Sequence, residues 1–351
     1  MAIYHLSVKV ISRAHGSSAL ASAAYRCGGR LHDARLGRDH DFTSKENVVH
    51  SEVMLPEGAN EAWSDRERLW NEVEAFEKRK DAQLAREVEF AIPRELDQAE
   101  GIRLAQDFVE QEFVARGKVA DLNIHWDYDF DGEAYPHAHV MLTMREVKEE
   151  GFGAKVREWN ATSLVEHWRE AWALHVNERM AELDLDIQID HRSLEAQGIE
   201  LEPQHKIGAA SYEMDGRSER LDDHGRIARE NGERIIANPQ IAIDAITRQQ
   251  STFTHRDLAR FLDRHSYGRE QFKEALIGVM ASPELVTLGE DDRGHNRYTS
   301  RGMVETEVRL YRACDDLFLH AGHGVTDAVR ASELERATDL SISRQLALSP
   351  S

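Results

Sequence analysis

Cysteine is nearly absent. The 351 residues hold only Cys27 and Cys314, too few and too far apart for a disulfide framework or a thiolate zinc site, and a reducing compartment fits. No apolar run is long enough to cross a bilayer, and the N-terminus lacks the basic-then-apolar order of a secretory signal, so the expectation is a cytoplasmic chain with no membrane insertion. Positive charge is also scarce. With 44 Lys and Arg against 64 Asp and Glu the net charge is -20, which argues against indiscriminate nucleic-acid binding, because affinity for a phosphate backbone comes from cations displacing counterions. Neither a solenoid-period repeat nor a G-x-x-x-x-G-K-[ST] phosphate loop is present. What remains is 41% hydrophobic, enough for a large core and for two domains.

The charge is uneven along the chain. Residues 1 to 50 carry seven basic against four acidic side chains, and residues 51 to 100 carry seven against fourteen. A site for a polyanion must therefore be local, with the acidic remainder serving as a solvated surface.

The segment Tyr135 to Thr143 places His137 and His139 two residues apart in a strand pattern. Alternate side chains leave opposite faces, so both histidines share a face with Met141 and Thr143, while Ala138, Val140 and Leu142 line the other. The preceding run, Leu122 to Tyr128, divides the same way and puts His125 beside Asn123 and Asp127. Pairing through the Asp129-Phe130-Asp131-Gly132 turn would bring three imidazoles together. A lone histidine is ordinarily solvated or hydrogen-bonded. Three on coincident faces outline a metal site that leaves the ion's charge uncancelled, suited to polarising a phosphodiester oxygen.

An alternating strand over Ala2 to Ser12 precedes Gly16-Ser17-Ser18, a break with a good N-cap, and then the helix former Ala19 to Arg26, closed by Gly28-Gly29. Tyr25 lies in its last turn among Arg13, Arg26 and Arg30, and its phenol is a potential nucleophile toward phosphorus; the competing reading is a packing residue. Glu87 and Glu89 share one face of a strand over Arg86 to Pro93 and could orient an imidazole N–H, or form an ordinary solvated face. Helices are expected over 61–79, 97–116 and 162–183, and a charged linker or exposed helix over 212–240. Beyond it, helices starting at Thr254 and near Phe272, then strands at 285–288 and 297–299, suggest a small winged-helix unit.

Four ordered motifs carry a resemblance: Ala2 to Ser7 with Ser18 to Arg26, Ala85 to Pro93, Pro136-His137-Ala138-His139, and Asp190-His191-Arg192-Ser193 to Ile199. Together they resemble the MobA/MobL mobilisation relaxases, and most closely the TraA-type conjugative relaxases of rhizobial and Ti-like plasmids. The resemblance is strong over the first 210 residues. Ile246 to Thr299 is similar to the stretch that precedes the helicase in TraA-type proteins, and no Walker motif follows.

The resemblance implies an α+β, HUH-type fold with a central antiparallel sheet flanked by helices, over residues 1–211. A charged linker or helix (212–240) and a mainly helical, winged-helix region (241–351) would follow. It implies a site- and strand-specific nick at an origin of transfer, with Tyr25 as nucleophile forming a 5'-phosphotyrosine, His125, His137 and His139 holding a divalent ion, and Glu87 or Glu89 in support. Magnesium or manganese is the family's usual ion; imidazole donors also suit zinc or nickel. The implied partners are single-stranded or hairpin origin DNA, accessory relaxosome proteins and a type IV secretion coupling protein, with translocation alongside the DNA. Arg13, Arg26, Arg30, Lys78, Arg79 and Lys80 are the plausible electrostatic footprint, and His191 and Arg192 either cap a loop or contact DNA. Two rivals stay open: a phosphodiesterase in which the ion activates water, and a non-catalytic DNA-binding adaptor.

Overall fold

Alternating apolar residues need two surfaces to pack against or one to pack and one to serve, and the strands here take the second course. The computed structural model describes residues 4–128, 132–204, 219–292 and 294–319. The chain divides into two units, Met1–Thr299 and Ser300–Ser351. In the first, strands β1 (Leu6–Ser12), β4 (Val48–Met54), β5 (Gln83–Ala91), β6 (Ala120–Tyr128) and β7 (Ala134–Leu142) form a sheet in the order β1-β5-β7-β6-β4. Every neighbouring pair is antiparallel. Two hairpins stand apart from it, β2 (Arg30–Asp33) with β3 (Arg38–Asp41), and β8 (Arg145–Lys148) with β9 (Gly151–Lys155).

One face of the sheet is apolar. Leu6, Val88, Phe90, Leu122, Ile124, Ala138, Val140 and Leu142 form a buried cluster with residues of helices α3 (Gln98–Val109) and α4 (Ser163–Glu182). Its centre is aromatic: the Trp172 ring lies 4.3 Å from Phe90 and 4.9 Å from Phe108, centroid to centroid. Helix α3 approaches the sheet closely because Gly101 has no Cβ; one added there would stand 3.0 Å from Trp126 and 3.1 Å from Ile92. The opposite face packs Ile11, Ala85 and Met141 against α1 (Ala19–Cys27) and α2 (Arg66–Phe76) through Leu20, Ala23, Leu69, Trp70 and Val73.

Helix α1 is fixed at both ends. The Ser18 hydroxyl accepts from the Ala21 N–H at 3.3 Å and donates to Asp33 at 2.6 Å, and Gly28 closes the helix in the left-handed region at φ 59°. Beneath its first turn lies the buried carboxylate of Glu74, which accepts from the Ala19 N–H at 3.0 Å and from Arg13 and Arg35 at 2.9 Å each. Arg13 also donates to the carbonyls of Glu74, Glu77 and Arg79. The guanidinium expected on a DNA-facing surface is therefore consumed in anchoring α1 and α2.

Several boundaries differ from the sequence reading. The helix expected over 61–79 is a short 3-10 turn (Glu61–Ser64) and then α2, because Asp65 stops the first and caps the second by accepting from the Arg68 N–H. The helix expected to reach Arg116 gives way at Val109 to a π turn over Glu110–Val114. Strand β4 has no counterpart in the reading; a register shift between Val48 and His50 breaks its alternation at the sheet edge. The Asp129–Asp131 part of the expected turn and Ala2-Ile3 of the first strand lie outside the described residues.

The charged stretch after 212 contains helix α5 (Glu219–Ala237), of which Ile227, Ala228, Asn231 and Ile235 are buried. With α6 (Gln240–Thr247), α7 (His255–Arg264), α8 (Gly268–Met280) and a sheet of order β10-β12-β11 (Phe253–Thr254, Asn296–Ser300, Leu285–Glu290) it follows the order of helices and then paired strands read from the sequence. Thr254 and Asp257 cap α7 reciprocally. The hydrophobic cluster here runs from Ile199 and Leu201 to Tyr298, so it recruits chain ahead of residue 211. The second unit contains one described helix, α9 (Arg301–Leu319).

Two outcomes follow for stability. Replacing Trp172 by Ala empties the aromatic centre and should cost about 3–5 kcal/mol, read from the denaturant midpoint. Glu74→Leu should cost roughly as much, because it leaves the Arg13 guanidinium buried without its counter-charge; a midpoint within experimental error of wild type would show that Arg13 finds other partners.

Candidate active site

Antiparallel register decides which side chains meet. His125 on β6 stands opposite His137 on β7, and Asn123 opposite His139. On the other flank of β7, Glu89 of β5 is opposite His139 and Glu87 opposite Met141; beyond them Lys9 of β1 faces Glu87. All lie on the face turned away from the α3–α4 core. The ligand nitrogens of His125, His137 and His139 fall within 4.8 Å of one another, and their ring centroids are 4.8 to 5.2 Å apart.

Each imidazole has one nitrogen committed to an acceptor. His125 Nε2 lies 2.6 Å from the Arg26 carbonyl, His137 Nδ1 3.1 Å from the Tyr135 carbonyl, and His139 Nδ1 2.9 Å from Glu87 Oε1. A carbonyl or carboxylate can only accept, so these nitrogens carry the protons and the other nitrogen of each ring keeps its lone pair. Burial, before any neighbouring charge, lowers the pKa of His125 to about 4 and also lowers that of His137, keeping both rings in the neutral form that binds a cation. Three convergent imidazoles fit a divalent ion.

The two glutamates have different tasks. Burial alone would raise the Glu87 pKa, but hydrogen bonds from His139 and from both arms of Arg26, at 2.7 and 2.6 Å, outweigh it and hold the group at about 2. Glu89 instead pairs with Lys9 at 2.9 Å and lies 3.7 Å from His5 Nε2. Glu87, Glu89 and His139 form a second group whose ligand atoms are within 4.8 Å, so Glu89 is within reach of the site, and Glu87 is hydrogen-bonded to His139 of the triad.

Tyr25 is the residue before Arg26, at the end of α1 that touches His125 and Glu87. It is 49% exposed, and among the described residues its hydroxyl makes no hydrogen bond. The ring is held edge-on by Phe42 at 5.4 Å and by the Lys45 ammonium 4.0 Å from its centroid; that ammonium also donates to the Tyr25 carbonyl at 3.1 Å. A packing tyrosine buries its ring and partners its hydroxyl. This one does neither. Phe42, Lys45 and Lys9 belong to no motif of the sequence reading, His5 lies in the first motif without having been singled out, and only the residue types, a cation and an aromatic in the loop ahead of β4, hint at the first two. Asp127 binds Asn47 and lies 3.8 Å from His137 Nδ1.

The expected cationic footprint disperses. Arg26 is saturated by Glu87 and the Ser22 carbonyl. Arg30, Arg79 and Arg192 are exposed and paired with Asp39, Asp81 and Asp190, pairs weak enough to exchange for phosphate. Lys78 and Lys80 are exposed, and His191 is half-buried.

Comparison with known proteins identifies relatives of the whole chain. The chain is 33% identical to the conjugal transfer protein TraA of Agrobacterium fabrum over 99% of its own length and 36% of the relative's, and so spans about a third of that protein. It is 35% identical to the mobilization protein MobL of Acidithiobacillus ferridurans over 62% of this chain and 65% of that one. A solved structure described as "Molecular Basis of Vancomycin Resistance Transfer in Staphylococcus aureus" aligns at a TM-score of 0.50 and 32% identity, covering 55% of this chain and all of that one. The MobA/MobL family model matches residues 17–217, more than half of the sequence, and the chain belongs to the MobA/MobL family.

Proposed function

We propose that this chain is a conjugative relaxase, nicking one DNA strand at an origin of transfer through a covalent tyrosyl intermediate. The observation that carries the reading is the neighbourhood of Arg26. Its carbonyl orients His125, its guanidinium fixes Glu87 and through it His139, and the next residue back is the exposed phenol of Tyr25. Nucleophile and histidine cluster are thereby parts of one tied unit.

His125, His137 and His139 would hold a divalent ion through the three unprotonated nitrogens. When bound, such an ion supplies Lewis-acid polarisation of a phosphate oxygen and neutralises charge built up on phosphorus. Glu87 keeps the His139 ring in its binding tautomer. The Tyr25 oxygen attacks phosphorus, the bond from phosphorus to the 3' oxygen breaks, and the phenolic proton leaves to balance the released 3'-hydroxyl. Lys45 holds the ring and places positive charge where the phenolate develops. Because the tyrosyl ester conserves the phosphodiester bond, a free 3'-hydroxyl can reverse the step and rejoin a strand. Of the two glutamates, the geometry favours Glu87 as the supporting acid. Magnesium or manganese suits the phosphoryl chemistry, and zinc or nickel suits the imidazoles.

The sequence similarity to conjugal transfer and mobilization proteins supports the further reading that origin DNA, accessory relaxosome proteins and a type IV coupling protein are partners. The same reading has the chain cytoplasmic before transfer with the DNA. The division into a relaxase region, 1–211, a charged segment, 212–240, and a mainly helical region, 241–351, accompanies it.

Incubating the chain with single-stranded origin oligonucleotide and manganese should yield a slow-migrating protein–DNA adduct that Tyr25→Phe abolishes. Cleavage with no adduct would instead favour a water-activating metallohydrolase, and binding with neither would favour an adaptor. Isothermal titration with manganese alone should show affinity reduced about 10–100-fold in Glu87→Gln and little changed in Glu89→Gln; the reverse order would reassign the supporting acid.

A further inference from the structure

Three arginines recur at intervals of four along α7: Arg256, Arg260 and Arg264. With 3.6 residues per turn this spacing puts them on one stripe, about 6 Å apart along the axis, while Leu258, Phe261 and Leu262 form the buried side. The stripe meets the start of β7. Arg256 and Arg260 lie 2.6 and 2.9 Å from the same oxygen of Glu133, and Arg264 is an electrostatic neighbour of Tyr135 and Arg94. Arg94 in turn stacks over the Tyr135 ring, 4.7 Å from its centroid.

The charge balance here is locally basic. Arg256 and Arg260 share one oxygen of Glu133, and neither Arg94 nor Arg264 has a hydrogen bond or ion pair among the described residues. Arg260 Nη2 is at ion-pair distance from Glu133 yet is buried without a hydrogen bond of good geometry. Of the acids on α7 itself, Asp257 is occupied in capping Thr254 and Asp263 is exposed. In a protein of net charge -20 most arginines are matched to carboxylates, and a cluster left in surplus costs self-repulsion unless an anion enters.

The place of the surplus says which anion. Tyr135 is 43% exposed, and its carbonyl accepts from His137 Nδ1, so the cluster adjoins the histidine triad along one strand. Guanidiniums bind phosphates with directed hydrogen bonds, and an exposed aromatic ring beside them stacks an unpaired base. We propose that Arg256, Arg260, Arg264, Arg94 and Tyr135 form a tract that binds single-stranded DNA flanking the scissile phosphate. The α7 arginines lie beyond residues 17–217 matched by the family model, so the tract would be a contribution of the winged-helix region to the substrate path. It rests on the nuclease reading above.

The test is fluorescence anisotropy of a labelled oligothymidylate with the full chain across a salt series. Losing three phosphate contacts should reduce the slope of log affinity against log salt by about 2 in the triple variant R256Q/R260Q/R264Q. The triple variant R256K/R260K/R264K should retain the slope, and Tyr135→Ala should weaken binding without changing it. Because Arg256 and Arg260 also tie α7 to Glu133, R264Q alone serves where the triple fails to fold, with a slope change of about 0.7. R68Q/R103Q/K273Q removes the same charge elsewhere. Equal slopes for R256Q/R260Q/R264Q, or R264Q, and that control would overturn the proposal, and if wild type still formed the tyrosyl adduct the nuclease reading would survive. Wild type showing neither salt-dependent binding nor an adduct would overturn both.

Discussion

Arg26 does with one residue what the site needs from several. Its backbone carbonyl accepts from His125, and its guanidinium grips a carboxylate that accepts from His139, so the end of α1 and two strands of the sheet are tied at the point where Tyr25 emerges. The pair is almost wholly buried, with side-chain exposures of 13% for Arg26 and 3% for Glu87. A buried pair gains little over apolar packing in stability. What it supplies here is position: a carboxylate held ionised fixes which nitrogen of His139 is protonated, and Arg26 itself ties the C-terminal end of α1 to β6. The rest of the fold supports this arrangement from below. Glu74 fastens the start of α1 to α2, and the aromatic core on the far face keeps the strands that carry the histidines in register.

The cations of the chain are spent in two ways. Arg13 and Arg26 are inside, paired with the buried carboxylates of Glu74 and Glu87, and they fasten helices to the sheet. Arg30, Arg79 and Arg192 are outside in pairs that solvent screens. On the reading proposed above, an acidic protein acting on a polyanion must concentrate positive charge, and the arginine stripe of α7 near Tyr135 is the place we propose for it.

Much of this was legible in the residues. A strand reads its own faces, so the period-two pattern of Leu122–Tyr128 and Tyr135–Thr143 placed three histidines on one surface before any fold was known. Ser18 and Gly28 bounded α1 for equally local reasons, a side-chain acceptor for a free N–H and a backbone that tolerates positive φ. The helix expected over 162–183 and the helix start at Thr254 are of the same kind. Where local signals compete the reading slipped: Asp65 both ends one turn and starts another, a bulge hides β4, and α5 buries so few of its residues that its sequence passes for a linker.

The residue types of the site, their strand faces and their family were thus determined by the sequence alone, because side-chain alternation and capping depend on neighbours a few positions away. Only the tertiary structure decided that Glu87 is hydrogen-bonded to His139 while Glu89 pairs with Lys9, that Arg13 is an anchor, that Lys45 and Phe42 hold Tyr25, and that an arginine stripe more than a hundred residues downstream meets the start of β7. Those outcomes turn on strand order and helix packing between distant segments, and Coulombic pairing is settled by which charges the fold brings within a few ångströms, a distance no spacing along the chain encodes.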